Sequence, residues 1–392
     1  MRDHFSTHTD KPFTEILDKA LADEVLSTEE GYRLIHCTEE EFPALLAAAG
    51  SLRDRHKGRT VTYSRKLFLP VTNLCRDRCS YCTFRKDPRD PAAWTMTRKD
   101  LHEWLDRGHT QGCKEALMCL GDKPELVSSG YRTTLANLGH SNTTEYVYEA
   151  CEIALSYGIL PHTNAGIMTS DEMKWLKDVN VSLGLMLENV SPRLRERGMA
   201  HFSAPDKDPA VRVKMIREAG ELEIPFTTGI LIGIGETWEE VVDSLIAIRD
   251  IHQEYDHIQE VIIQNFRAKP DTRMAEAPEP ESLEMAKTVA VARLLLGGQM
   301  NVQAPPNLNP VDHRLLLQAG INDWGGISPV TKDYVNPEAV WPHLTTLAQT
   351  CEEEGFTLRE RLAIYQEYID RPGFLLPALR SRTEELQAVV AA

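Results

Sequence analysis

The arrangement of hydrophobic and polar positions changes near residue 60 of the chain. Before that point, capping residues predict helices: Ser27 and Glu30 are of the types found at helix starts, and Thr38 with Glu41 has the spacing of a capping box. From Lys66 onward, short β-rich runs alternate with amphipathic helical stretches. This alternation is typical of parallel strands that are joined by helical crossovers.

The β-rich runs number eight, and each is followed by a helical stretch. Several runs, such as 229–234, are apolar on both faces, as expected for a parallel sheet covered by helices. Eight β/α units predict an α/β fold of the closed (β/α)8 TIM-barrel type. Because the last two strands are weak, a partial (β/α)6 barrel is the second choice. The predicted strands lie near 66–71, 115–121, 159–164, 181–188, 225–233, 258–265, 301–306 and 321–324, and the predicted helices near 97–111, 142–157, 170–179, 209–221, 238–255, 282–297, 311–319 and 338–354.

These patterns divide the chain into three parts. Residues 1–60 form an N-terminal helical extension, 61–355 the barrel, and 356–392 a C-terminal helical tail that Pro372 and Pro377 interrupt. No linker rich in Gly, Ser or Pro separates the parts.

Composition narrows the class of protein. The 392 residues carry a formal charge of −16, from 43 Lys and Arg against 59 Asp and Glu, so a nucleic-acid partner is not expected. The start, 1–11, is polar, and no run approaches the roughly 18 apolar residues of a membrane span. We therefore expect no membrane association and a cytoplasmic location.

Three of the eight cysteines stand close together. Cys75, Cys79 and Cys82 have the spacing C-x3-C-x2-C and follow the first predicted strand. Barrel active sites lie at the carboxyl ends of the strands, where this loop belongs. Eight cysteines in a chain this long are too sparse for a disulfide scaffold, which favours reduced thiols.

The cysteine trio predicts an iron-sulfur centre. Three thiolates holding a four-iron cubane leave one iron without a protein ligand. The amine and carboxylate of S-adenosylmethionine (SAM) can occupy that position, after which reductive cleavage yields methionine and a 5′-deoxyadenosyl radical. A zinc site would want a fourth Cys or His, so zinc and incidental thiols are the alternatives. A second cluster at Cys113 and Cys119 would have too few thiols.

Other motifs at predicted strand ends suit SAM or a polar substrate. Tyr81 is placed to meet the adenine, although packing against the cluster is an equal interpretation. A flexible turn after the second strand offers acceptors for the SAM ammonium, and glycines after the fifth strand let a ligand approach the backbone. The residues of these two segments are Gly121 and Asp122, and Gly233 to Glu236. Polar side chains at strand ends form a predicted substrate rim, although each alone suits a turn cap: His162, Asn164, Glu188, Asn189, Gln264, Asn265, Arg267, Asn307, Asn322 and Asp323.

Several longer strings resemble one family within the radical SAM superfamily. The strings Cys-Ser-Tyr-Cys-Thr-Phe-Arg-Lys, Leu-Gly-Asp-Lys-Pro-Glu, Leu-Pro-His-Thr-Asn-Ala-Gly and Gly-Ile-Asn-Asp-Trp-Gly-Gly-Ile-Ser-Pro-Val-Thr are among them. Together they cover roughly 60–370 and are similar to the first subunit of FO synthase, where FO is 7,8-didemethyl-8-hydroxy-5-deazariboflavin.

The resemblance implies a radical SAM lyase of deazaflavin coenzyme biosynthesis. A partner subunit joins tyrosine to 5-amino-6-ribitylaminouracil; this subunit takes a hydrogen atom from the adduct, and ring closure with loss of ammonia gives FO. The partner is expected to be a separate polypeptide, because the chain carries one cysteine trio, and the electron to come from an external low-potential donor. The alternatives are another radical SAM enzyme acting on an aromatic adduct, such as the partner subunit or a menaquinone-pathway relative, and a non-catalytic iron-sulfur or zinc carrier. The family pattern implies one 4Fe-4S cluster on Cys75, Cys79 and Cys82, and SAM contacts at Gly121, Asp122, Glu188 and Gly233 to Glu236.

Overall fold

The barrel is closed by its first strand. In the computed structural model, which describes residues 11–391, β1 (Thr60–Leu69) pairs in parallel with both β2 (Glu115–Cys119) and β8 (Asp323–Ile327). The eight strands are parallel and follow one another around the ring in sequence order, so the predicted (β/α)8 barrel is confirmed and the six-stranded alternative is wrong. The remaining barrel strands are β3 (Leu160–Asn164), β4 (Ser182–Gly184), β5 (Phe226–Ile232), β6 (Ile258–Asn265) and β7 (Val302–Gln303).

Helices surround the barrel and begin at capping residues. At the start of Trp238–Tyr255, for example, the Thr237 side chain accepts from the backbone N–H of Glu240, whose carboxylate accepts from the N–H of Thr237. Among residues 11–391, no helix combines the length and apolarity that crossing a bilayer requires. The helices around the barrel are α4 (Arg98–Thr110), α5 (Ser129–Leu138, not predicted), α6 (Thr143–Ser156), α7 (Ser170–Leu176), α8 (Pro209–Glu221), α9 (Trp238–Tyr255), α10 (Ser282–Leu296), α11 (His313–Gln318) and α12 (Leu344–Glu353).

The N-terminal extension packs on this outer layer. Its helices are α1 (Phe13–Leu21), α2 (Thr28–Ile35) and α3 (Phe42–Lys57), and α3 lies against α10. The Ser27 side chain caps α2, and its backbone N–H donates to the Glu30 carboxylate, as the sequence indicates. The polar start of the chain before Lys11 lies outside the described residues.

The tail begins with a strand rather than the predicted helix. Strand β9 (Thr357–Arg361) pairs in parallel with the first half of β1, from Thr60 to Ser64. Because β1 starts six residues earlier than predicted and meets β2 only from Lys66 onward, its first half leaves an edge that β9 fills. Two helices follow, α13 (Gln366–Ile369) and α14 (Pro377–Ala391).

Strand β9 inserts a charged side chain into the lower end of the barrel. The Arg361 guanidinium donates to the carboxylates of Asp323, at 2.6 and 2.9 Å, and Glu260, at 2.7 Å. Burial raises the pKa of Glu260 to about 8 despite this cation, and Tyr365 packs against the guanidinium. The amino-terminal end of the barrel is thus occupied by an ion network.

Candidate active site

A cavity of about 300 Å³ lies at the carboxyl ends of the barrel strands. Cys75, Cys79 and Cys82 all line it, and the three thiols are free and partly buried. The loop that carries them is held in place by the segment after β4, because the backbone N–H of Arg78 donates to Ser203 and that of Ser80 to Ala200. The structure therefore brings the predicted trio together in one cavity.

The spacing of the three sulfurs fits a cubane better than zinc. Tetrahedral zinc with bonds of about 2.3 Å holds its sulfurs about 3.8 Å apart. Among residues 11–391, the trio is not a group whose ligand atoms all lie within 4.8 Å of one another. A cubane takes one thiolate on each of three separate irons, which requires the wider spacing.

Burial keeps the thiols of Cys75 and Cys79 protonated until a metal binds. It raises the pKa of Cys79 to about 12 and that of Cys75 still higher. The backbone N–H of Asp122 donates to the Cys75 sulfur at 3.1 Å, and Gly121 allows this approach, since a Cβ there would lie 1.9 Å from the Leu74 carbonyl oxygen. Binding of iron at the trio must therefore release protons.

Three buried carboxylates stand beside the cysteine loop. One oxygen each of Asp77, Asp122 and Asp206 lies within 4.8 Å of the others. Burial, followed by repulsion from the other two carboxylates, raises the pKa of Asp122 to about 7. Its Oδ2 accepts from the backbone N–H of Ile167 at 3.0 Å, whereas its buried Oδ1 has no partner among the described residues. The cluster thus calls for a cation at Asp122.

An ion pair occupies another side of the cavity. The Lys207 ammonium pairs with the Glu188 carboxylate, and both side chains are largely buried. The backbone of Glu188 has φ +65°, a left-handed conformation that non-glycine residues rarely adopt. It is held there by hydrogen bonds on both sides, from its own N–H to Gly229 and from the N–H of Leu231 to its carbonyl. Such over-determined strain is typical of functional sites.

Tyr81, which stands between Cys79 and Cys82 in the sequence, is oriented by a histidine. Its hydroxyl forms a hydrogen bond with His201 Nε2 at 3.1 Å, with the rings edge to face. The histidine is neutral, because burial lowers its pKa to about 2. Tyr81 therefore lines the cavity with its ring fixed, which suits both the adenine and the packing interpretation.

The chain is similar to a radical SAM superfamily model over residues 69–247. It is 48% identical to the 7,8-didemethyl-8-hydroxy-5-deazariboflavin synthase of Methanopyrus kandleri, over 79% of this chain and 93% of the relative. The chain belongs to this FO synthase family. The namesake from Methanothermobacter thermautotrophicus is also 48% identical, over 83% of this chain and 98% of its own length. The FO synthase of Mycobacterium tuberculosis is 46% identical over 90% of this chain but only 43% of that protein.

Solved structures share the fold. HydG, an FeFe-hydrogenase maturase, superimposes with a TM-score of 0.74 at 17% identity, covering 88% of this chain and 76% of that one. Methylornithine synthase superimposes with a TM-score of 0.68 at 18% identity, covering 88% and 97%. As a radical SAM enzyme of FO biosynthesis, the family member described here uses a 4Fe-4S cluster and SAM.

Some of the predicted site residues of this FO synthase relative line the cavity, and others do not. Those that line the cavity are Tyr81, Gly121, Asp122, Asn164, Glu188, Gln264 and Asn307. Gly233 lines a separate cavity. The Glu236 carboxylate accepts hydrogen bonds from the backbone N–H groups of Gly233 and Ile234. The glycine segment is therefore a strand terminus whose side-chain acceptor is already engaged, and any ligand contact there is through the backbone.

The structure does not bring five of the predicted rim residues to the cavity, and His162 does not line it either. Asn322 and Asp323 stand at the start of β8, so they lie at the opposite end, where they bind Arg293 and Arg361. The other three side chains turn away from the cavity, and His162 contacts Ser182 within the barrel. Those three are Asn189, which bonds to Glu240 and Ser191, Asn265, which bonds to Asn309, and Arg267, which pairs with Glu279.

Sequence reasoning missed part of the cavity wall. Four missed residues come from the loop after β8, which follows a strand whose end was misplaced. Lys207 and Arg212 follow β4, Lys66 begins the first predicted strand, and Gln303 lies in one of the two predicted strands that are weak. No spacing in the sequence marks these positions. The four loop residues are Asp333, Val335, Asn336 and Trp341.

Proposed function

We propose that this chain converts the adduct of tyrosine and 5-amino-6-ribitylaminouracil into FO. The observation that carries the proposal is the meeting of the cysteine trio with unpaired acidic and polar groups in one barrel cavity, in a chain 44–48% identical to FO synthases of methanogens. The adduct loses one hydrogen atom to the adenosyl group, its ring closes, ammonia leaves, and one further electron and proton depart. That electron balances the one used to cleave SAM, so adduct and SAM give FO, ammonia, methionine, 5′-deoxyadenosine and a proton.

The charges around the cysteines are those that a bound amino acid needs. The Asp122 carboxylate receives the ammonium of SAM, because its Oδ1 is buried without a partner. Lys207 receives the SAM carboxylate. Its ammonium lies close to Cys79, because its charge opposes the burial that raises the pKa of that thiol. Glu188, paired with Lys207, faces the ribose hydroxyls. These contacts direct SAM toward the trio.

The chain holds the reactants in position and excludes water from the cavity. A cluster held by Cys75, Cys79 and Cys82 would supply the electron that cleaves SAM, and the adenosyl radical so formed would take the hydrogen atom. Aromatic side chains exclude water from that place, since Phe68, Tyr81 and Trp341 line the cavity. The adduct lies on the β1 and β8 side, across the cavity from the acidic trio.

The adduct comes from a second polypeptide in this proposal. Support comes from the mycobacterial FO synthases, of which this chain matches 43%. The remaining part of those proteins has room for the enzyme that joins tyrosine to the uracil. An external low-potential donor reduces the cluster, and the reaction takes place in the cytoplasm.

Asp122→Asn is expected to raise the apparent KM for SAM by about tenfold or more, because an amide cannot replace a charge-assisted bond to the ammonium. In the unmodified protein, this KM is expected to fall as pH rises through about 7, where Asp122 loses its proton. The variant is expected to lack that dependence. Steady-state formation of 5′-deoxyadenosine between pH 6 and 8.5 measures both effects.

Asp171→Asn is the matched control, because Asp171 is an exposed aspartate at the start of α7. It is expected to leave the KM for SAM unchanged. An Asp122 variant with the same KM and pH profile as the control would show that the ammonium binds elsewhere.

The product test uses the cluster-loaded protein with SAM, a reductant and the adduct. We expect a blue-fluorescent deazaflavin, with one methionine and one 5′-deoxyadenosine for each FO. Formation of the adduct from tyrosine and the uracil by this chain alone would instead identify it as the first enzyme. No product from either substrate would overturn the proposed function.

A further inference from the structure

The Asp333 carboxylate, in the loop after β8, has all its acceptor capacity in use. Its Oδ1 accepts from the backbone N–H groups of Val335, at 2.9 Å, and Asn336, at 3.0 Å. Its Oδ2 accepts from the side-chain amides of Asn336, at 3.1 Å, and Asn307, at 3.0 Å. Asp333 therefore ties its own loop to the loop after β7.

This bond fixes which end of the Asn307 amide faces the cavity. A carboxylate accepts and does not donate, so the Asn307 nitrogen must point at Asp333 and its oxygen away from it. Asn307 is 4% exposed and lines the cavity, and its Oδ1 has no hydrogen-bond partner among the described residues. A buried carbonyl oxygen without a partner costs free energy that a ligand donor recovers.

Donors stand on the same wall. The Lys66 ammonium has no hydrogen bond or ion pair among residues 11–391; it lies 5.1 Å from the centre of the Trp341 ring. The Gln303 amide likewise has no side-chain partner there. Both need the glycines of β8, since a Cβ on Gly326 would lie 2.1 Å from Lys66 Cδ and one on Gly325 2.0 Å from Gln303 Nε2. The wall thus combines one fixed acceptor with two free donors.

We propose that Asn307 Oδ1 accepts a hydrogen bond from the imide N–H of the substrate's pyrimidinedione ring, and that Asp333 is the positioning residue that holds the amide in this orientation. The imide edge presents acceptor, donor and acceptor in turn, and Lys66 and Gln303 donate to its two carbonyls. This inference rests on the proposed function, because it takes the pyrimidine adduct as the ligand.

The pattern of the three groups distinguishes the imide from the ribityl chain. The Asn307 oxygen by itself accepts equally from a hydroxyl or from an imide N–H. The imide edge is singled out because its N–H stands between two carbonyl oxygens, which take the donors of Lys66 and Gln303. A substrate whose imide nitrogen carries a methyl group has no donor there. Its methyl group would instead contact the oxygen of Asn307.

The test compares the adduct with its imide-N-methyl analogue. Dissociation constants are measured by calorimetry on cluster-loaded protein with SAM and without a reductant, so that no turnover occurs. The unmodified protein is expected to bind the analogue at least tenfold more weakly than the adduct. Asn307→Ala removes the oxygen and makes room for the methyl group, so it is expected to bind the two ligands within about threefold of each other.

Asn309→Ala is the matched control. Its amide lies two residues further along the same loop but bonds to Asn265 and to the Pro305 carbonyl oxygen rather than lining the cavity. It is expected to keep the tenfold preference for the adduct. Asp333→Asn frees the Asn307 amide to turn, so it is expected to weaken binding of the adduct at least tenfold and to reduce the preference for the adduct over its N-methyl analogue to less than about threefold. General damage would weaken both ligands equally and keep the preference.

Equal binding of the two ligands by the unmodified protein overturns the inference, and so does an Asn307→Ala variant that keeps the full preference. Because binding is measured without turnover, these results are independent of the product test. A protein that discriminates between the ligands but makes no deazaflavin supports the assignment of Asn307 and contradicts the proposed reaction. Failure to bind either ligand overturns both.

Discussion

Cys79→Ala is expected to abolish the brown colour of the reconstituted protein. It is also expected to lower the rate of 5′-deoxyadenosine formation at least a thousandfold. Two thiolates cannot hold a four-iron cubane, and Cys79 lines the cavity together with the other two members of the trio. Iron and sulfide analysis, the absorbance near 400 nm and deoxyadenosine measured by chromatography check the loss.

Cys113→Ala is the matched control, because Cys113 is a buried cysteine outside the trio. It precedes β2, and Cys119 is the last residue of that strand. The two lie roughly 20 Å apart along an extended chain, so they cannot share a second cluster. The control is expected to keep one cluster per chain. If Cys79→Ala kept both its iron and its turnover, the assignment of the trio would be wrong.

Arg361→Met is expected to lower the free energy of unfolding by about 3–5 kcal/mol, since it leaves the carboxylates of Glu260 and Asp323 buried without their cation. Urea denaturation followed by circular dichroism measures the change. The deficit is expected to be larger at pH 8 than at pH 5.5, because burial raises the pKa of Glu260 to about 8, so that Glu260 carries a proton at pH 5.5 and needs no cation there.

The neighbouring Arg359→Met provides the control within the same strand. Arg359 is exposed, and β9 alternates between outward and inward side chains, so the loss of its charge is expected to change stability by less than about 0.5 kcal/mol. Equal effects of the two substitutions would contradict the account of Arg361 as the ion that fills the lower barrel.

The barrel could be predicted because each unit follows local rules. The strands read as short apolar runs, and the helices start at caps such as Thr237; the predicted ranges of α8 and α9 agree with the structure at both ends. Closure follows from eight such units, since parallel strands with helical crossovers wrap in one direction.

Strand β9 could not be predicted in the same way. Its residues, Thr357–Arg361, carry charges at three consecutive positions and would suit an exposed segment. The charge of Arg361 is compensated by Glu260 and Asp323, which come from two distant strands. The same long-range contact explains the error at Asp323: a strand end was predicted where β8 begins, which placed the residue at the wrong end of the barrel.

The site shows the same contrast between local and distant contacts. The cysteine trio and the Gly121–Asp122 turn are short motifs whose spacing carries their chemistry, and both line the cavity. Asp333 and Lys66 are single residues whose importance depends on neighbours from other loops and strands. The substrate wall therefore became visible only when the fold brought β1, the loop after β7 and the loop after β8 together.

The central claim is that the trio holds a cluster with one iron open to SAM. Electron paramagnetic resonance of the dithionite-reduced, reconstituted protein tests it directly, with and without SAM. We predict a 4Fe-4S signal whose g values shift when SAM is added. A cluster signal that SAM leaves unchanged, or a reconstituted protein that holds zinc in place of iron, would contradict the account.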